Sequence, residues 1–493
     1  MEVKESNRQL RLGAILSYVS MILGYVVQMA YTPIMIRLIG QSQYGMYNLT
    51  NSIVSYLSLF SLGFGPAYVR FYMRHKTRHD NNGIEKMNGM FMIVFLCLGI
   101  LATITGSILV IQSNTILGSK FSSSELLLAK KLMFLMVINI SISFPLIPIT
   151  SYIQAYEKFV FQNSLNILRQ VLNPFLSLPL LLMGFGSLGL IFATTVISLI
   201  IGVWQLLYSI KVIKLRWQWH NLDFKELKEV AIFSSFIFLN AVTDQINWNV
   251  DKFIVGRFYG ATLVAIYGIA AQLNSYYLNL STAISNVYVP RINKIVADHT
   301  KNMNDELTDL FIKIGRIQFM IVVLVLIELA YLGRPFIGFW AGKDYYDAFP
   351  ILMVLIVPVT IPLIQNTGIA IQQAKNMHIF RSVLYAFIAI ANILLSLVLV
   401  KPYGALGTAF ATAVSLIVGN GIIMNYYYNS RIGLDIKKFW KTIFRFLPMA
   451  LVSLVGGYFI TRFIDPYRFK GFVVVGMFIA LIYGIMLFFT GMN

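Results

Sequence analysis

Gly186-x-Leu188-Gly189-x-x-Phe192-Ala193-Thr194-x-Val196 returns as Gly404-x-Leu406-Gly407-x-x-Phe410-Ala411-Thr412-x-Val414, at an offset of 218. Each copy opens an apolar run long enough to cross a bilayer, which takes about 20 residues. Outward from this pair the chain keeps matching itself. Arg37-x-x-Gly40-x6-Tyr47 returns as Arg257-x-x-Gly260-x6-Tyr267, and Tyr68-Val69 as Tyr288-Val289. Phe91-Met92-Ile93-Val94 returns as Phe319-Met320-Ile321-Val322, and Leu132-Met133-x-Leu135 as Leu352-Met353-x-Leu355. Gln154-Ala155 returns as Gln373-Ala374, and Asn173-x-x-Leu176-Ser177-Leu178 as Asn392-x-x-Leu395-Ser396-Leu397. One short match in apolar sequence is chance; seven in the same order mark a duplication.

The composition says what solvent surrounds the repeat. Of 493 residues 58% are apolar and 12% charged, too few charges to cover a water-soluble surface. Lipid is therefore the solvent along most of the chain. The single cysteine, Cys97, excludes a disulfide within the chain and a thiolate metal site. The five histidines (His75, His79, His220, His299, His378) fall in polar connectors without ligand spacing and read as solvated loop residues. The apolar run after Arg11 continues past residue 30 with no small-residue cleavage site, so it reads as a retained first helix.

The runs predict an all-α, polytopic protein with about fourteen spans: 12–36, 44–68, 88–111, 131–153, 162–183, 188–210, 231–253, 262–289, 314–336, 348–372, 381–400, 404–427, 445–464 and 471–490. The duplicated unit holds six of them. An even number makes both copies cross the same way, a parallel repeat about an axis along the membrane normal. The predicted lobes are 1–220 and 221–430, with 431–493 a two-helix appendage. Connectors on the side of the termini hold 26 of the 39 Lys and Arg, against 12 opposite, so both termini are predicted cytoplasmic. Much of the net charge of +19 is this topology signal, and it suits anionic headgroups. It calls for no nucleic acid.

Thr32-Pro33-x-Met35-Ile36-Arg37-x-Ile39-Gly40-x3-Tyr44-Gly45-x-Tyr47, with Leu62-Gly63-x-Gly65-x-x-x-Tyr68-Val69-Arg70, resembles the opening of Wzx-type polysaccharide flippases of the MOP superfamily. So does Asp251-x-x-Ile254-Val255-Gly256-x-x-Tyr259-Gly260-x6-Tyr267 in the second half. The resemblance covers essentially the whole chain, including the 6+6+2 arrangement. It implies a MATE-like fold in a bacterial cytoplasmic membrane. It also implies a cargo of undecaprenyl-diphosphate-linked oligosaccharide, moved from the inner to the outer leaflet for surface polysaccharide assembly. A coupling ion, H+ or Na+, and a polysaccharide polymerase as partner come with it; a cofactor does not.

A charge within a span costs about 2.5–3.5 kcal/mol on insertion scales, so each one is a functional candidate. Asn240, Asp244, Asn247 and Asp251 stand at i, i+4, i+7 and i+11, one face of the seventh span, with Lys252 beside them. The first span answers with uncharged Ser20, Gln28 and Tyr31. A diphosphate wants cationic donors, and a guanidinium is the best fork for it. Arg169 in the fifth span is the leading candidate, either as a phosphate or sugar contact or as a side chain that snorkels to the cytoplasmic face. Lys252 and the matched pair Arg70 and Arg291 at the cytoplasmic ends follow. Asn240, Asn247 and Gln28 complete the expected cavity. Asp244 and Glu328 read either as coupling-ion carboxylates or as structural hydrogen-bonding groups. Arg37, Arg257 and Asp251 sit at outer helix ends, where a cap, salt bridge or gate is expected. Pro33, Pro66, Pro145, Pro148, Pro290, Pro358 and Pro362 read as kinks or hinges. Tyr31, Tyr56 and Trp248 are candidate sugar-stacking rings.

Two other readings stay in play. A MATE-type cation-coupled drug exporter needs an acidic cation site, which Asp244 or Glu328 supplies. A membrane glycan polymerase or ligase needs a large outer loop, and the predicted outer connectors stay under twenty residues. No P-loop, metal cluster or nucleophile triad is present, and no catalytic residue is assigned.

Overall fold

A backbone in hydrocarbon must bond to itself, and a helix does so within one segment. The computed structural model describes residues 2–220, 224–298, 302–377 and 379–491, with the side chains of 2–8, 10, 224, 236, 240, 490 and 491 excepted. His299, His378 and the Asn240 side chain lie outside the described residues. Those described form helices and turns, with no strand. In chain order the first helices are α1 (Glu2–Val54), α2 (Phe64–Thr77), α3 (Asn81–Ile111), α4 (Ser113–Leu117), α5 (Ser123–Ala155), α6 (Phe159–Leu182), α7 (Gly186–Lys211), α8 (Phe224–Tyr259) and α9 (Ala261–Ala297). After them come α10 (Met303–Trp340), α11 (Ala348–Ile364), α12 (Thr367–Ala374), α13 (Ile379–Leu416), α14 (Asn425–Tyr427), α15 (Ile436–Phe444), α16 (Leu447–Phe463) and α17 (Phe469–Gly491).

Among the described residues nine helices are long and apolar enough to cross a membrane, or ten if α11 and α12, bent by 43°, act as one. Two of the nine, Arg11–Thr77 and Ile379–Ile432, run to 67 and 54 residues. One crossing needs about 20. Each contains a kink at a glycine of positive φ: Gly40 (φ 75, ψ 170) and Gly404 (φ 58, ψ −139). The sequence repeat matches Gly40 with Gly260 and Gly404 with Gly186, and those two mates also have positive φ. Helices α8 and α9 are 36 and 37 residues long but too polar to count by apolarity. The span expected at 44–68 is interrupted: a 3-10 turn, Ser55–Ser61, leads into Leu62 (φ 50) and Gly63 (φ 70) before α2 resumes and runs on to Thr77. The tight connection expected at Gly184–Gly189 is a turn between α6 and α7, where Gln43 Oε1 accepts from Ser187 N at 3.0 Å.

Packing divides the chain into two units, Met1–Ala265 and Ile266–Asn493. The first has an aromatic core of α2, α3 and α5 side chains, including Phe64, Tyr68, Tyr72, Phe91, Phe95, Phe144 and Tyr152. The Tyr68 ring meets Phe91 edge-on at 4.9 Å. The Tyr68 hydroxyl donates to Asn88 Oδ1, and Asn88 Nδ2 donates to Arg216 O at 3.0 Å. Helix α8 packs with this unit, against α1 and α2. A Cβ at Gly63 would lie 2.7 Å from Ile237 Cγ2, and one at Gly256 would lie 2.6 Å from Leu49 Cδ1.

The second unit is built on α10. Gln318 Nε2 donates to Ser281 Oγ at 2.9 Å and to Ser285 Oγ at 2.6 Å, tying α10 to α9. Asn425 anchors the far end, accepting from Gln365 Nε2 at 2.8 Å and from Trp440 Nε1 at 2.9 Å. The last two helices dock on α10: Tyr331 donates to Leu454 O at 2.5 Å and Tyr483 to Met320 O at 2.7 Å.

Candidate functional site

Helix α6 carries the leading cation. Gln162, Asn166, Arg169 and Asn173 follow one another at i, i+4, i+7 and i+11, so they share a face. The Arg169 side chain is exposed. It has no carboxylate and no hydrogen-bond acceptor as partner among the described residues. An unpaired guanidinium inside a spanning helix is costly to keep. The adjacent face of α6 is fastened to α1. Asn163 Nδ2 donates to Gly13 O at 2.9 Å, Gln170 Nε2 to Ser20 Oγ at 3.1 Å, and Tyr31 shares a 2.5 Å bond with Ser177. These bonds fix the rotation of α6 and hence the direction of Arg169.

The α8 face is not uniform. Asp244 is exposed, Asn247 half-buried, and Asp251 only 2% exposed, close to Lys252 and Tyr56. Lys252 is half-buried. The other side of α8 meets the break before α2. Gln245 Nε2 donates to Ser55 O at 3.2 Å and to Ser58 Oγ at 3.2 Å, and Asn249 donates to Gln245 Oε1. Tyr56 donates to Gln245 O at 3.4 Å, so its hydroxyl is engaged, as is that of Tyr31; Trp248 is exposed. Gln28 is exposed on α1.

At the other end of α8 an ionic clasp joins it to α2. Arg74 Nη1 reaches Glu229 at 2.6 Å and Nη2 reaches Glu226 at 3.0 Å. His75 Nε2 lies 2.8 Å from Glu226, and its Nδ1 lies 2.9 Å from Asp80. Asp80 caps α3, accepting from Gly83 N at 2.8 Å. That backbone bond, and then the contact with His75, hold its carboxyl below the usual 3.8. Arg70 lies one turn inward with its guanidinium 4.4 Å from the Phe233 ring centroid.

The remaining candidates fall in separate places. Arg257, in the last turn of α8, lays its guanidinium over Gly118 (φ +84), where a Cβ would come 1.2 Å from Nη1. Arg37, three residues before the kink in α1, and Arg291, within α9, are exposed. Glu328, on α10, faces the last helix: a Cβ at Gly476 would lie 3.5 Å from its Oε2. Among the described residues no group of three His, Cys, Asp or Glu is placed to hold a metal.

Reading by charge picks out Arg169 but passes over its amide neighbours Gln162 and Asn166, which only the spacing along α6 reveals. It also passes over Gln245 and Asn249. A mid-span glutamine that bonds the backbone of a broken neighbour has no signature of its own.

The sequence and fold are similar to those of known proteins. The chain is 21% identical over 407 residues to a putative O-antigen transporter of Shigella flexneri, covering 80% of this chain and 91% of that one. It is 22% identical over 216 residues to the capsular polysaccharide biosynthesis protein CapF of Staphylococcus aureus, covering 43% and 52%. The fold matches that of the lipid II flippase MurJ in an inward closed conformation, with a TM-score of 0.75 at 20% identity over 96% of this chain and 97% of that one. It also matches an inward-facing multidrug-resistance MATE transporter of the MOP superfamily, with a TM-score of 0.64 at 14% identity over 84% and 99%. Residues 34–350 match the family described as polysaccharide biosynthesis protein, and the chain belongs to that family.

Proposed function

We propose that this protein flips lipid-linked oligosaccharide, an undecaprenyl-diphosphate carrier bearing a glycan repeat unit, from the inner to the outer leaflet of a bacterial cytoplasmic membrane. The observation that carries this reading is Arg169, a guanidinium without a partner among the described residues on a spanning helix, in a chain of the polysaccharide biosynthesis family. The cargo's constant part is its diphosphate, and a fixed cation on a membrane helix is what such a group requires.

The finer architecture belongs to the same proposal. Counting Arg11–Thr77 and Ile379–Ile432 as two crossings each, α11 with α12 as one, and α8 and α9 as one each brings nine helices to fourteen. The repeat assigns two six-helix lobes, 1–220 and 221–430, and an appended pair, 431–493. Packing, a different criterion, groups α8 with the helices of residues 1–220. Both termini are cytoplasmic in this reading. The lobes rock to alternate access, with no catalytic step. The mouth cations are Arg70 and Arg291, with Lys252 deeper. Asn240, Asn247 and Gln28 are assigned to the cavity, and Asp244 and Glu328 to the coupling ion, H+ or Na+. Arg37, Arg257 and Asp251 hold or gate the outer ends. A polysaccharide polymerase stands downstream.

Deleting the gene is expected to remove a surface glycan and leave drug susceptibility unchanged. Purified protein in liposomes is expected to move undecaprenyl-diphosphate oligosaccharide between leaflets. Gained drug sensitivity with intact surface glycan would favour the multidrug-exporter reading, which the MATE-like fold accommodates.

A further inference from the structure

Between the beginnings of α1 and α6 lies a cavity of about 360 Å³, within the roughly 300–1,000 Å³ range of small-ligand sites. Gly13 and Ser17 form one wall, and Phe159, Gln162, Asn163 and Asn166 the other; Gln154 from the end of α5 completes it. Every polar side chain on it is an amide or a hydroxyl, and no charge lines it. Gly13 lets the helices close in, since a Cβ there would come 2.5 Å from Phe159 Cβ. Gln162 Oε1 is buried and has no hydrogen-bond partner among the described residues. The Gln154 and Asn166 side chains are exposed and make no hydrogen bond to the described residues. Amides carry donors and acceptors together, as sugar hydroxyls do, and Phe159 offers an apolar ring face.

The same helix face continues to Arg169. Seven residues separate Gln162 from Arg169, about 10 Å at 1.5 Å per residue. A neutral, amide-lined recess thus sits one to two turns from an unpaired cation. The other half of the duplicated chain lacks this stripe. At the offset of 219 that relates Gln154 to Gln373 and Asn173 to Asn392, the equivalents of Gln162, Asn166 and Arg169 are Arg381, Tyr385 and Ile388. There Arg381 lies over the Tyr385 ring at 4.6 Å. The corresponding helix folds without the amides, so the architecture does not require them.

We propose that this recess is a glycan subsite, taking the sugars next to the diphosphate while Arg169 takes the diphosphate itself. The inference rests on the flippase reading and deepens it: the protein senses that a sugar is attached, and a bare lipid carrier engages only half the site.

Two probes separate the parts: undecaprenyl diphosphate, and the same lipid bearing one N-acetylglucosamine, each bound to the full chain in nanodiscs. Wild type is expected to bind the sugar-bearing lipid several-fold more tightly. Gln154→Ala and Asn166→Ala, at exposed side chains, are expected each to reduce that advantage by about two- to tenfold, leaving undecaprenyl diphosphate unchanged. Arg169→Gln is expected to weaken both lipids alike. Equal binding of both probes by wild type, an unaltered advantage in both alanine variants, or parallel loss of both lipids in them overturns the glycan subsite. Failure of wild type to bind either lipid overturns the flippase reading and this inference with it.

Discussion

Arg169 concentrates the functional argument at the residue scale, because its position on α6 is set by bonds from Asn163, Gln170 and Ser177 to α1 while its own head group stays unpaired. Losing a charge-assisted hydrogen bond costs roughly 1.5–3 kcal/mol, so Arg169→Ala is expected to weaken lipid-linked oligosaccharide binding by about one to two decades. Arg169→Lys is expected to recover only part, because a point charge does not reproduce the guanidinium fork. Flipping assays in liposomes at matched protein content read both; normal transport by Arg169→Ala would make Arg169 a membrane anchor. Asp80 gives a second prediction, in pH. Its folded carboxyl titrates below 3.8, so its stabilisation is fully present above that value and is lost as pH falls through the lowered folded one. Asp80→Asn keeps the cap on α3 and weakens the tie to His75. Its small deficit in detergent melting temperature is expected at pH 7 and pH 5 and to shrink as pH falls below the usual 3.8. A deficit constant across that range would assign the effect to shape rather than charge.

At the scale of elements, the break between α1 and α2 stands out. Leu62 and Gly63 both adopt positive φ, and the 3-10 turn before them frees backbone groups that cannot turn to water. Gln245 on α8 meets that need at Ser55 O. Gln245→Ala is expected to lower stability by about 1–3 kcal/mol, from three lost side-chain hydrogen bonds. Thermal unfolding in detergent, alongside Gln272→Ala as a half-buried control on α9, checks this; equal effects of the two would sink the assignment. Gly118 is a comparable case. Its φ of 84 and the Arg257 guanidinium above it leave no space for a side chain. Gly118→Ala is expected to cost roughly 1–3 kcal/mol, and Arg257→Ala in the same chain to relieve the steric part but not the backbone strain.

For the whole molecule, orientation is the testable quantity. The Lys and Arg excess predicts that the termini and the His75, Trp217 and Asn302 regions lie in the cytoplasm. Because Cys97 is exposed, single cysteines belong in a Cys97→Ser background. Labels confined to the outside of intact cells are expected to reach cysteines at Ser123, Asp344 and Arg468, and not at Asn302. Labelling of Asn302 from outside would invert the topology.

Much of this was legible in the linear chain, for reasons of solvent. Apolar runs of membrane length can only be helices, Gly40 recurs as Gly260 and Gly186 as Gly404 in the repeat, and Arg169 is conspicuous because charge is rare in hydrocarbon. Periodicity also assigns Gln162, Asn166 and Arg169 to one face of α6. It does not tell which face of α1 that helix meets, nor that Gly13 brings the two close enough to leave a recess there. Nor does it reveal that Asp251 is buried while Asp244, two turns before it on the same stripe, is exposed. Pro66 signalled a kink nearby, but nothing in the sequence placed the break at Leu62, an ordinary residue held at φ 50 by its surroundings. The chain alone determined its solvent, its helices and its duplication, since each depends on local composition or on self-comparison. The partners of each polar side chain, and hence the recess beside Arg169, were decided by tertiary packing, since residues 150 positions apart meet only when helices choose their faces.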